Sequence, residues 1–167
     1  MRAIVLFLLV LAPAAYGADK PADVAYKPLW TYQGTWLVTH AGASAAKPDR
    51  LVNDCALVGL YFTCQQSVDG KTGGLLIIIP ADSAGHYYTQ TVMPEGRATG
   101  RDDLEISGNK WTFTSRRLEY GKSKYYRSIY TFADHNHIHF EQAQSADGTH
   151  WTAKASGDQV RGKTPNQ

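Results

Sequence analysis

The densest run of groups able to ligate a metal or move a proton is His135-Asn136-His137-Ile138-His139-Phe140-Glu141. Residues two apart on a strand project from one face, so His137 and His139 can present two imidazoles to a zinc or copper ion. Two ligands do not make a site. Glu141 lies too far along the strand to converge with both, and the preceding strand offers Thr131, Ile129 and Arg127, none a good ligand and the last repelling a cation. The histidines are read as a solvent-facing ladder, and no metal or other cofactor is assigned.

The acidic cluster Asp102, Asp103 and Glu105 is read as solvation at a strand start, because adjacent Asp102 and Asp103 point to opposite faces of a strand. His86 and His150 are candidates for a haem ligand by position only, and no motif accompanies them. The chain has no G-x-S-x-G elbow, no H-E-x-x-H helix and no Walker loop, and Gly70 to Gly74 reads as a hairpin connection. Catalytic residues therefore stay unassigned. An acid or base would face a barrel interior only if the strand parity were reversed, which would bring in Arg127, Glu141 or a tyrosine.

The two cysteines lie in two β-prone runs that meet at Gly59-Leu60. A type II′ turn centred there sets Cys55 opposite Cys64 as a non-hydrogen-bonded pair with close Cα atoms, within reach of a disulfide. A reactive thiol pair would need a C-x-x-C motif or a helix N-terminus to lower a thiol pKa, and neither is present. One structural bridge is expected.

The elements that must position these groups are short alternating runs at spacings of about 8–12 residues, the pattern of an all-β barrel or sandwich. Candidate strands are 30–40, 50–58, 61–68, 74–80, 86–93, 98–107, 110–117, 124–133, 137–145 and 150–157. Around Gly108-Asn109 the register pairs Ile106 with Trp111 and Leu104 with Phe113. Around Asp134-His135-Asn136 it pairs Phe132 with Ile138 and Tyr130 with Phe140. Hairpins with one apolar face each bury those faces by closing into an antiparallel up-and-down barrel of about 8–10 strands with little helix. The inward face then carries Tyr32, Trp36, Phe62, Trp111, Phe113, Tyr130, Phe132 and Phe140, the candidate ligand-binding set, with tyrosine hydroxyls and Gln142 as polar handles. Leu75 to Ile79 breaks the alternation, so its outer face needs a cover, either the segment Asp23 to Leu29 or a second copy of the chain.

With 167 residues, 43% hydrophobic, 11% aromatic, 19% charged and a net charge of +2, the chain is one folded domain rather than a disordered one. It has no basic stripe for nucleic acid. Arg2, the apolar run Ala3 to Ala12 and the small-residue stretch ending at Gly17 read as a signal peptide over residues 1–17. That run is too short to span a bilayer, so no transmembrane segment is expected. The mature domain would cover 18–161, followed by a disordered tail at 162–167.

Gly34-x-Trp36 resembles the G-x-W signature of the lipocalin and fatty-acid-binding barrels. Leu104 to Trp111, Tyr126-Arg127 and Ser145 to Trp151 follow in the order and spacing of a family of secreted bacterial lipocalin-like domains of unestablished function, in the calycin superfamily. The likeness runs from about Leu29 to Lys154. It implies a closed barrel with a cavity, a plugging tryptophan at one end capped by an arginine, and transport or sequestration of a small apolar molecule. Arg127 and Arg161 are both candidates for that arginine. The chain departs from typical lipocalins in lacking their other short signatures and in carrying its disulfide within one hairpin.

The leading expectation is thus a periplasmic or secreted barrel, monomeric or homodimeric, binding a small apolar or amphipathic molecule. The alternatives are a barrel enzyme, an isomerase or hydrolase, and a protein-interaction module using the apolar Leu75–Ile79 face.

Overall fold

The computed structural model describes residues 21–42 and 47–163, and side chains from Val24 onward. The signal peptide read over residues 1–17 lies outside the described residues, as does most of the expected tail. A single α-helical turn and a half, α1 (Pro21–Tyr26), runs into a 3₁₀ helix (Lys27–Tyr32). Ten strands follow: β1 Gly34–His40, β2 Asp49–Val58, β3 Tyr61–Val68, β4 Lys71–Pro80 and β5 His86–Val92 form the first half. The second half is β6 Asp102–Ser107, β7 Lys110–Glu119, β8 Lys122–Phe132, β9 His137–Ser145 and β10 Thr152–Arg161. Each strand pairs antiparallel with the next, and β10 pairs back onto β1, so the sheet closes and leaves no edge. Among the described residues no helix is long and apolar enough to cross a membrane.

The hairpin registers are those the alternation predicts. Ile106 faces Trp111, Leu104 faces Phe113, Phe132 faces Ile138 and Tyr130 faces Phe140. Cys55 faces Cys64, bonded across a Cα separation of 4.0 Å. Gly59 supplies the positive φ of 61° at the first turn position while Leu60 keeps a negative one, the type II′ requirement that fixes this register.

Three expectations are corrected. The first strand begins at Gly34 rather than Trp30, because Pro28 at the head of the 3₁₀ helix starts a different periodicity. In a 3₁₀ helix residues three apart eclipse, so Leu29 and Tyr32 share one buried side, with Tyr26 one step earlier. β6 begins at Asp102 rather than Ala98. Gly100 breaks the run, leaving Ala98 only an isolated bridge to Val92. Finally, Asp23 to Leu29 does not lie across the outside of β4. Leu29 is fully buried in the core cluster with Phe62 and Trp36, while on the outer face of β4 Leu75 and Ile77 are half-buried and Ile79 is exposed.

The helical segment closes one end of the barrel. Tyr87 Oη donates to the Ala25 carbonyl at 2.6 Å, and Tyr26 Oη donates to that of Leu60. Trp36 has no exposed surface, and its indole Nε1 donates to the Tyr32 carbonyl at 3.0 Å, which also accepts from the buried amide of Asn53 at 3.1 Å. Arg161 lies over the Trp36 ring at 4.2 Å and donates to the carbonyls of Gln33 (2.8 Å), Thr31 (2.9 Å) and His135 (3.0 Å). Of the two candidate arginines, Arg161 caps the tryptophan, while Arg127 stacks on Trp151 on the outer surface. Gly34 is needed beneath this cap: its φ is 112°, and a Cβ there would sit 3.0 Å from Arg161 Nη1.

Gly157 has a different reason to be glycine. A Cβ at that position would come within 2.0 Å of the Thr39 carbonyl and 2.8 Å of the Phe140 ring, where β10 crosses β1. Gly157→Ala is expected to cost about 1–3 kcal/mol, because the clash is with backbone that can move only by opening the β1–β10 seam. Urea unfolding of the variant checks this, and an unchanged midpoint would contradict it.

Candidate ligand-binding cavity

Above the closed end the inner faces of the strands grade from apolar to polar. Trp36, Phe62, Trp111 and Phe132 form the packed floor together with Leu29, Ile78, Leu104 and Ile138. Tyr32 joins floor to cavity, its ring centroid 6.0 Å from Trp111 and 6.2 Å from Tyr130. Next comes a cavity of about 220 Å³, enough for roughly seven waters. Leu76, Phe113 and the Tyr32 and Tyr130 rings line one part of it, and Gln66, Asp102, Ser115, Tyr126 and Ser128 line another. Phe113 and Tyr130 meet edge to face at 5.7 Å, and Tyr130 passes contact on to Phe140 at 6.3 Å. Burial pushes the Tyr32 and Tyr130 hydroxyls well above their ordinary pKa, so both stay neutral donors and acceptors.

Of the eight aromatic residues expected to contact a ligand, Tyr32, Phe113 and Tyr130 line this cavity. Trp36, Phe62, Trp111 and Phe132 lie beneath it as core. Phe140 is buried beside it against Tyr130 and His40.

The open end carries the charge. Stepping by two along β7 from Trp111 and Phe113 reaches Ser115, Arg117 and Glu119, and stepping back along β8 from Tyr130 reaches Ser128, Tyr126 and Lys124. Arg117 grips Asp102 through two parallel bonds, Nη1 to Oδ1 at 2.5 Å and Nη2 to Oδ2 at 2.6 Å. That carboxylate raises the pKa of the guanidinium. Tyr126 Oη donates to Glu119 Oε1, and Lys124 Nζ donates to Oε2 at 3.1 Å. The two donors lower the Glu119 pKa, and the carboxylate in turn raises those of Lys124 and Tyr126. Glu119 and Lys124 also line a larger vestibule of about 620 Å³ between the β7–β8 hairpin and the β9–β10 turn.

Asp102 is therefore not merely solvation at a strand start. It faces inward with Arg117, while its neighbour Asp103 faces out, as the alternation requires. Arg127 and Glu141 face outward in a surface groove with Trp151. The inward titrating groups instead include Asp102, Arg117, Glu119, Lys124 and Tyr126, beside Tyr32 and Tyr130. The signal for them lay in the alternation itself, continued past the apolar residues to the strand ends.

His137 and His139 project outward and are half exposed. Each bonds its own carboxylate, His137 Nδ1 with Asp134 at 2.9 Å and His139 Nδ1 with Asp158 at 2.9 Å. Asp158 lies across the β9–β10 pairing, a neighbour that counting along β8 alone does not reveal. Among the described residues no three His, Cys, Asp or Glu side chains converge on one point. His86 is exposed on the outside of β5 opposite Glu105, and His150 bonds Asp147 at 2.7 Å in the β9–β10 turn, so neither lines the inner cavity. Set against known proteins, the chain matches no family model and no curated protein, so the functional reading rests on this geometry.

Proposed function

We propose that this chain is an exported lipocalin-like barrel, periplasmic or secreted, that binds a small amphipathic molecule in its interior. The cavity above the Trp36 floor carries the reading. Its wall sets Leu76, Phe113 and Tyr130 against hydroxyl, amide and carboxylate groups, which suits a ligand with an apolar body and a polar end better than a purely apolar one. The lipocalin likeness is supported by Trp36 of the G-x-W motif plugging the closed end beneath Arg161. Export is supported by the Cys55–Cys64 bridge, since disulfides persist in oxidising compartments.

The neutral dye N-phenyl-1-naphthylamine tests the reading. Its fluorescence is expected to rise saturably at one dye per chain, and Ser128→Phe, which fills the cavity from β8, is expected to weaken binding about tenfold or more. Ser115→Leu fills it from β7 and gives the same readout should the first variant fold poorly. Absence of saturable binding to the unmodified chain, or equal binding to well-folded filled variants, would overturn the proposal.

A further inference from the structure

The vestibule at the open end has an unbalanced set of charges. Its two carboxylates are already committed within the protein. Glu119 spends one oxygen on Tyr126 and the other on Lys124. Asp147 accepts from the Ser145 hydroxyl (2.9 Å) and the backbone amides of Thr149 (2.8 Å) and His150 (2.9 Å), while its second oxygen bonds the His150 ring. Of the three ammonium groups only that of Lys124 is so engaged. Lys122 and Lys154 line the same space, and among the described residues neither has a carboxylate within ion-pairing distance. A cleft whose two acids are satisfied and which holds two further, unpaired lysines concentrates anions.

The vestibule and the inner cavity meet at one contact. Tyr126 lines the inner cavity, and its hydroxyl is held by Glu119, which lines the vestibule with Lys124. A molecule with its apolar body against Phe113 and Leu76 and its other end directed outward would pass this point and arrive among the lysines.

We propose that the vestibule is an anion subsite, so that the ligand is an anionic amphiphile whose carboxylate, sulfonate or phosphate lies between Lys122, Lys124 and Lys154. This rests on the interior-binding reading and narrows it to one ligand class. Lys122 and Lys154 set the preference for charge, and Lys124 is held in position by Glu119. Neither Lys122 nor Lys154 lines the inner cavity, so each affects only ligands with a head group that reaches the vestibule.

A matched pair of dyes separates the two claims. 8-Anilinonaphthalene-1-sulfonate has the ring system of N-phenyl-1-naphthylamine with one added sulfonate. The sulfonate is expected to bind the full chain about tenfold more tightly than the neutral amine, with an advantage that shrinks as salt is raised. The double variant Lys122→Ala/Lys154→Ala is expected to erase that advantage and leave the amine unchanged. Equal affinity for the two dyes, or a sulfonate preference that survives the double variant, would overturn the anion subsite while the interior reading stands. Failure of both dyes to bind would overturn both.

Discussion

Replacing Trp36 with alanine is expected to lower the unfolding free energy by about 3–5 kcal/mol, the cost of deleting a fully buried large aromatic side chain. Nothing nearby can collapse into the space. The ring is covered by the Arg161 guanidinium, and that group is fixed by three backbone carbonyls drawn from two parts of the chain, so it cannot follow a shrinking neighbour. The indole N–H is lost as well, leaving the Tyr32 carbonyl with the Asn53 amide alone. Thermal unfolding should report a drop of roughly 6–20 °C for a domain of this size. A change under 1 kcal/mol would mean that the closed end is not a packed plug.

Removing the disulfide as Cys55→Ala/Cys64→Ala is expected to cost about 2–3 kcal/mol, the chain-entropy value for a loop this short. The melting point should fall by roughly 4–12 °C. Both sulfurs face the core, and the bridge spans nine positions of a hairpin whose tip also anchors Tyr26 through the Leu60 carbonyl. Loosening this hairpin therefore loosens the cap on the closed end. Thiol titration of the denatured, unreduced chain should find no free sulfhydryl, and two free thiols would contradict the bridge outright.

The fold was legible because period-two alternation and turn chemistry agree at most hairpins. Gly59-Leu60 and Gly108-Asn109 fix registers on their own, and each register places apolar residues opposite one another. The capping segment was not legible. Trp30 to Tyr32 is aromatic enough to read as strand, and only the three-residue step from Leu29 to Tyr32, opened by Pro28, betrays the 3₁₀ helix. The cavity was half legible. Aromatic content pointed to the inner face, but it could not separate the residues that line the space from those that pack beneath it, since both are large and inward. The charged rim was hidden for another reason. Arg117, Glu119 and Lys124 stand at strand ends beside exposed residues such as Leu118 and Tyr120, and sequence pattern alone reads such ends as solvated surface.

The central claim is that the interior holds a small molecule, and the most direct measurement is native mass spectrometry of the chain, purified without denaturation and compared with Ser128→Phe. One stoichiometric adduct on the unmodified chain, extractable into organic solvent and absent from the filled variant, is the predicted result. The bare chain mass for both proteins, or an adduct that the filled variant retains, would contradict it.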